Sequence, residues 1–269
     1  MTESGKVRET ARIIRQDPIA DGVFSMWIRT EGAQYAVPGQ FVSLYTPDKR
    51  KILPRPISIA EVNRGANALR LVYRVMGAGT EEFSHLHSDQ MLEILAPLGN
   101  GYPMQGGRCL LIGGGIGIPP LLELAKELSG ENRIDGVSRP ALSVTAVLGY
   151  RNDQLFLKKD FENYADVIIA TDDGSVGTHG TVMDAIKEHE VSADVIYACG
   201  PTPMLRGVKQ FAQTQQIRCF LSLEERMACG VGACLGCVVK TTGIDDHSKV
   251  HNKRVCADGP VFLAEEVVL

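Results

Sequence analysis

The stretch RCLLIGGGIGIPPLLELAKELS, Arg108 to Ser129, reads as three elements in succession. An apolar run suited to a buried strand comes first, a glycine-rich turn follows, and an amphipathic helix closes it. Such a turn aims backbone N–H groups and a helix N-terminus at an anionic ligand, and glycine turns also serve to pack strand against helix. The form here is G-x-G-x-x-P rather than G-x-G-x-x-G, with Pro120 closing it. Proline loses nothing at a helix start, where its missing N–H has no partner in any case. The apolar part, CLLIGGGIGIPPLL, is short for a membrane span and broken by glycine and proline.

Downstream the alternation continues. ALSVTAVLGY reads as a strand, LFLKKDFENY as a helix, DVIIATDD as a strand, VMDAIKEH as a helix, DVIYACG as a strand and TPMLRGVKQFAQTQ as a helix. Strands alternating with helices predict a parallel sheet covered on both faces, over residues 104–217. Ligands of such sheets bind at the carboxyl ends of the strands. That edge gathers Gly114, Gly115 and Gly117, then Cys199, Gly200 and Pro201, and Asp172 beside Asp173. A carboxylate there accepts from ribose hydroxyls and repels a 2′-phosphate, which favours NAD over NADP; a solvated acidic turn is the competing reading. For Cys199 the competing reading is a buried structural thiol.

Upstream, FSMWIRT, QFVSLYT, LRLVYRV and MLEILAP are short β-rich runs separated by AVPGQ, NRGAN and GAGT. That spacing predicts an antiparallel barrel or sandwich over residues 1–103, with a helical turn around Thr80–His87. Pro56 suits only an edge position. Arg55 and Ser58, and Arg74 ahead of Gly79 and Thr80, supply the planar fork, hydroxyls and open backbone that suit a diphosphate.

The chain has 269 residues and a formal net charge of −4, so no basic excess argues for nucleic acid. The polar start MTESGKVRETARI has no apolar signal region, and a cytoplasmic location is expected. Seven cysteines in such a compartment are not a disulfide framework. Four of them crowd the C-terminal end as C-x4-C-x2-C and then x18-C: Cys229, Cys234, Cys237 and Cys256. This is the plant-type ferredoxin spacing for a 2Fe–2S cluster. Zinc more often takes C-x2–4-C pairs at both ends of its site, and a Rieske centre needs two histidines paired with cysteines, which His247 and His251 are not. Zinc and a site without metal stay open on spacing alone. Residues 218–269 are too few for a large core, so a bound cluster would help to organise them.

Taken in order, RPIS, GAGT, GGIGIPP and CGPTPM resemble the ferredoxin reductase family of flavoenzymes. The resemblance implies a multidomain α+β chain: an FAD-binding antiparallel β-barrel, an α/β domain for NAD, and the small iron–sulfur domain. It implies that Arg55, Pro56, Ile57 and Ser58 lie along the flavin and its diphosphate, and that Val72, Tyr73, Arg74, Gly79 and Thr80 contact the flavin nucleotide. Gly114, Gly115, Gly117 and Pro120 would form the nicotinamide nucleotide loop, with Cys199 beside the nicotinamide as the catalytic position. Many members carry an aromatic residue where Ile57 stands, so an apolar cover replaces a stacked ring. The runs SLEERMACGVGACLGCVVK and VCADGPVFLAEEVVL are similar to the electron-transfer subunits of NAD-dependent, type B dihydroorotate dehydrogenases. That similarity implies an FMN-containing catalytic partner in a heterotetramer, a role in pyrimidine biosynthesis, and FAD, the 2Fe–2S cluster and NAD as cofactors. A reductase linked to ferredoxin or sulfide, a zinc-stabilised binding module and a non-catalytic NAD sensor are the other readings.

Overall fold

In the N-terminal part, strands carry alternate apolar side chains into one closed interior. The strands are β1 (Val7–Ala20), β2 (Val23–Arg29), β3 (Phe41–Leu44), β4 (Arg55–Asn63), β5 (Ala68–Arg74) and, after the short helix α1 (Ala78–Ser84), β6 (Met91–Leu98). They pair antiparallel in the order β1-β2-β5-β4-β3-β6, and β6 returns to β1, which leaves no free edge. Ile13, Met26, Ile28, Leu44, Leu71 and Ile94 are fully buried inside the barrel. The computed structural model describes residues 5–130, 141–244 and 249–269.

The second part contains β7 (Arg108–Gly114), α2 (Leu122–Ser129), β8 (Ser143–Tyr150), α3 (Lys158–Phe161), β9 (Asp166–Thr171), β10 (Thr178–His179), α4 (Val182–Glu188), β11 (Val195–Cys199), α5 (Thr202–Gln215) and β12 (Arg218–Ser222). The C-terminal segment adds β13 (Val238–Lys240), β14 (Asn252–Arg254) and β15 (Val261–Leu263). One sheet runs β10-β9-β8-β7-β11-β12-β15, parallel except for β15. From β7 the chain steps to β8 on one side and comes back to β11 on the other. The order therefore reverses between β7 and β11, where a ligand crevice belongs.

Three expectations are corrected. The limit drawn at 217 cuts through this sheet: β12 pairs in parallel with β11 from Val195↔Arg218 to Cys199↔Ser222, and β15 extends the edge. The apolar run IRCFLS continues the core rather than starting a new one. The helix expected over LFLKKDFENY shrinks to Lys158–Phe161, because Leu157 takes a left-handed conformation with φ of 65°. And α2, amphipathic in sequence, is buried on every side up to Leu128, with only its last residue, Ser129, exposed. Its apolar side covers the sheet, while Glu123, Lys126 and Glu127 are buried against the barrel. Val62 N–H donates to Glu123 Oε2 at 2.7 Å, Lys126 Nζ donates to the Val62 carbonyl at 3.3 Å, and Arg64 pairs with Glu127 at 3.4 Å.

Between β12 and β15 the chain leaves the sheet, carries all four clustered cysteines, and returns. Cys237, Val255 and Cys256 share one apolar cluster with Phe41 and Leu98 of the barrel. Asn100 N–H donates to the Gly259 carbonyl at 2.7 Å, tying the same two parts. Among the described residues no helix is long and apolar enough to cross a membrane.

Candidate functional site

Strands β4 and β5 pair from Ile59↔Leu71 to Asn63↔Ala68 and then part. Beyond that point Arg55–Ser58 pair only with β3, and Val72–Arg74 only with β2. The barrel thus opens a slit flanked by the two segments expected to meet flavin, and Pro56 sits where β4 has a neighbour on one side only. A Cβ on Gly79 would strike the Arg55 guanidinium, so the glycine of GAGT lets that arginine lie across the start of α1. Thr80 Oγ1 accepts from Met76 N–H at 2.9 Å and Gly77 N–H at 3.2 Å and so holds the turn. Arg74 Nε is buried with no hydrogen-bond partner among the described residues. An unpaired guanidinium nitrogen beside open backbone edges is what an anionic nucleotide would satisfy. Ile57 is half-buried and packs against the barrel core as an apolar cover. Tyr73 departs from expectation. Its side chain turns into the barrel, where its hydroxyl donates to Gln16 Oε1 at 3.0 Å and its ring stacks on Phe24, so it is not free for a ligand in the slit.

The slit leads into a cleft of about 730 Å³ between barrel and sheet. Ala20, Asp21, Val23, Arg74 and Met76 wall it on the barrel side. Gly114, Gly115, Gly117, Asp172, Gly200 and Pro201 wall it on the sheet side. Two of the glycines are fitted closely to their neighbours. A Cβ on Gly117 would collide with the Cys199 carbonyl, and one on Gly114 would stand 2.6 Å from Met204 Sδ. Gly115 takes a φ of 53°, and Pro119–Leu121 form a single 3-10 turn in which Pro120 is buried. The two turns from β7 and β11 are thus in backbone contact, as a shared nucleotide crevice requires. Asp172 is exposed at the far end of the cleft. Cys199 is buried and does not line the cleft, and burial holds its thiol protonated, far above its usual range. Its place is behind Gly117 rather than as a thiolate nucleophile.

The four clustered cysteines form two pairs. Cys229 and Cys234 are within hydrogen-bonding reach of each other, as are Cys237 and Cys256. The backbone is turned toward the sulfurs. Cys229 Sγ accepts from Val231 N–H at 3.5 Å and Ala233 N–H at 3.3 Å. Cys256 Sγ accepts from Gly232 N–H at 3.1 Å, and Cys237 Sγ accepts from Cys256 N–H at 3.4 Å. Burial opposes charge on Cys229, but the N–H donors of Val231, Cys234 and Ala233 and the Cys234 thiol outweigh it and bring the thiol down to about 6. Burial and then the neighbouring Cys237 push Cys256 up to about 12. Among the described residues no three metal-binding side chains are gathered as one ion would need. Two thiol pairs ringed by N–H donors fit two irons held by two thiolates each, with donors ready for the sulfurs. His251 is exposed, and His247 lies outside the described residues.

Comparison with known proteins decides between the readings left open by the residues. The family model for the iron–sulfur cluster binding domain of dihydroorotate dehydrogenase B matches residues 224–268. A dihydroorotate dehydrogenase B (NAD(+)) electron transfer subunit from Geobacillus sp. (strain WCH70) is 40% identical, over 97% of this chain and 99% of that relative. One from Listeria welshimeri serovar 6b is 42% identical, over 96% and 98%. The chain belongs to the family of dihydroorotate dehydrogenase B electron transfer subunits. A solved structure of an NADH-dependent reduced ferredoxin–NADP oxidoreductase superposes with a TM-score of 0.83 at 30% identity, covering 96% of this chain and 89% of that one. The ferredoxin-reductase-like fold and an oxidoreductase subunit are thereby settled, and membership of this family implies a catalytic partner subunit.

Several residues of this family member escaped the sequence reading. Gly149, at the end of β8, faces the cleft, and a Cβ there would stand 2.7 Å from Val182 Cγ1. Its place after an apolar strand was a usable signal. Gln154 Oε1 accepts from Asp21 N–H at 2.7 Å and links sheet to barrel across the cleft mouth. Glu224 lines the cleft just after β12. Nothing local marks the last two, because both owe their place to the docking of barrel on sheet.

Proposed function

We propose that this subunit carries electrons from the FMN of a dihydroorotate-oxidising partner to NAD, in a cytoplasmic heterotetramer. Cys229, Cys234, Cys237 and Cys256 hold a 2Fe–2S cluster. Arg55, Pro56, Ile57 and Ser58, with the 72–74 edge, Gly79 and Thr80, hold FAD in the slit. Gly114, Gly115, Gly117, Pro120, Gly200 and Pro201 receive the nicotinamide nucleotide, and the Asp172 carboxylate disfavours a 2′-phosphate on it. Bound FAD supplies the exchange between the single electrons of a cluster and the electron pair of a hydride. In balance, dihydroorotate loses two electrons and two protons to give orotate, NAD+ takes both electrons and one proton, and the other proton goes to solvent. Three units do this work: the barrel to residue 103, the parallel sheet from 104, which keeps β12, and the cysteine segment.

The observation that carries the reading is placement. The cysteine segment lies against Phe41 of β3, and β3 pairs directly with the slit-facing end of β4. Arg74 brings its unpaired Nε to the slit, the glycines keep side chains out of the nucleotide crevice, and burial of Cys199 removes a competing nucleophile. Anaerobic NADH titration followed by visible absorption tests it. The protein should be brown-yellow, contain FAD and ~2 irons per chain, and bleach with NADH. With the catalytic chain added, dihydroorotate should bleach it as well. Colourless protein with stoichiometric zinc, or no response to dihydroorotate in the complex, overturns the proposal.

A further inference from the structure

Ser43 is 1% exposed, and its hydroxyl has no hydrogen-bond partner among the described residues. A buried hydroxyl is unfavourable unless something answers it. Its neighbours Val42 and Leu44 point into the barrel core, so Ser43 points outward, as does Phe41, which lies under the cysteine segment. A Cβ on Gly230, the residue after Cys229, would stand 2.9 Å from Ser43 Oγ, and Gly230 takes a φ of 70°. The cysteine loop therefore passes directly over this hydroxyl. On the other side, Ser43 is directly opposite Pro56 of the slit-facing segment. Opposed residues of an antiparallel pair share a face at close range. One side chain thus stands between the first cysteine ligand and the strand expected to hold flavin.

We propose that Ser43 donates a hydrogen bond to the sulfur shell of the iron–sulfur cluster at Cys229 and is a positioning residue that favours the cluster's reduced state. The inference rests on the cluster assignment above. Reduction adds negative charge to the sulfurs, and a donor aimed at them is worth more to the reduced form than to the oxidised one. The N–H donors of Val231 and Ala233 serve Cys229 from its own loop. Ser43 adds one from the barrel, on the side that faces the slit.

The full-length holoprotein and its Ser43→Ala variant are titrated anaerobically against redox dyes, with iron counted in each. The variant should keep its iron, and its equilibrium constant for cluster reduction should fall about tenfold. In deuterated buffer, one exchangeable deuteron coupled to the reduced cluster should disappear from its magnetic resonance spectrum. Should the alanine variant release iron, the isosteric pair decides. Ser43→Thr at the wild-type midpoint with Ser43→Val lowered supports the proposal, and equal midpoints overturn it. An intact cluster with unchanged midpoint and deuteron signal in Ser43→Ala overturns the proposal alone. Wild-type protein without iron overturns the cluster assignment and this inference with it.

Discussion

Around the cleft, glycine lets packed elements meet closely: Gly117 against the Cys199 carbonyl, and Gly149 against the Val182 side chain. Those walls are the ends of strands whose cores are already closed. The cysteine segment is built differently. Its regular structure is one pair of three-residue strands, β13 and β14, and two of its four clustered cysteines, Cys229 and Cys234, are not buried. What orders it from within is N–H groups donated to sulfur, together with Arg254, which pairs with Asp258 and donates to the Gly232 carbonyl. Clefts of the first kind are shaped by folding and await a ligand. Segments of the second kind take much of their order from what they bind.

The difference is sharpest when a sulfur is removed. Cys256→Ser should cost essentially the whole iron content. It should also open the 223–260 segment to proteolysis, because Cys256 is buried and accepts the Gly232 N–H that closes the loop. FAD content and NADH reduction of the flavin should survive, since the loop closed by the Gly232 N–H lines neither wall of the cleft; of the segment, Glu224, two residues after β12, does. Flavin lost along with iron would show that the two regions fold as one unit and would break the comparison.

The seam between barrel and sheet gives the next largest effect. Burial lifts the Glu123 carboxyl to about 7, against the opposing pull of Lys126 and the Val62 N–H; Glu127 and Glu61 push it the same way as burial. A folded value above the unfolded one, near 4.5, means the folded state holds the extra proton in between. The stabilisation from that proton is therefore complete below about pH 4.5 and is lost as pH rises through about 7. A shift of this size is worth on the order of 3 kcal/mol. Thermal unfolding measured from pH 5 to 8 should show a falling component that Glu123→Gln abolishes. An unchanged slope in the variant would remove Glu123 as its source.

How far these features were legible depends on whether a pattern is local. The glycine turn at 113–117, the Cys199-Gly200-Pro201 turn and the spacing of the four cysteines are short-range signals, and the structure brings the first two into backbone contact. The barrel was legible as short strands, and its closure through β1 and β6 follows from pairing that no local run announces. The inward turn of Tyr73 was missed because period-two alternation gives two faces without saying which is the inside. The burial of the polar side of α2 had no signal in the amphipathic pattern for a related reason. A helix pattern shows that one side is polar, and only the docked barrel shows that the polar side has partners. Ser43 carries no signal in sequence, because its meaning lies in an orphaned hydroxyl beneath a loop almost two hundred residues away.

The nucleotide walls can be tested at smaller cost. Gly117→Ala places a methyl group against the Cys199 carbonyl, with nothing flexible to yield. A forced shift of packed backbone costs ~1–3 kcal/mol. KM for NADH should rise by roughly tenfold to a hundredfold, while the iron content and the visible spectrum of the cluster stay as they were. An effect on iron as large as that on KM would mean that strain at the turn is carried through β11 and β12 to the cysteine segment.

The smallest effect belongs to Asp172, which is exposed and makes its case by charge alone. A carboxylate at the open end of the cleft repels a 2′-phosphate, but water and salt screen it. Asp172→Asn should leave KM for NADH nearly unchanged and lower that for NADPH by about fivefold, an effect of ~1 kcal/mol. The gain should shrink as ionic strength rises, which a purely steric barrier would not do. If the substitution instead weakens NADH binding and leaves NADPH alone, the carboxylate acts by accepting from the ribose hydroxyls. If neither cofactor responds, Asp172 is an acidic turn beside the cleft and takes no part in choosing the cofactor.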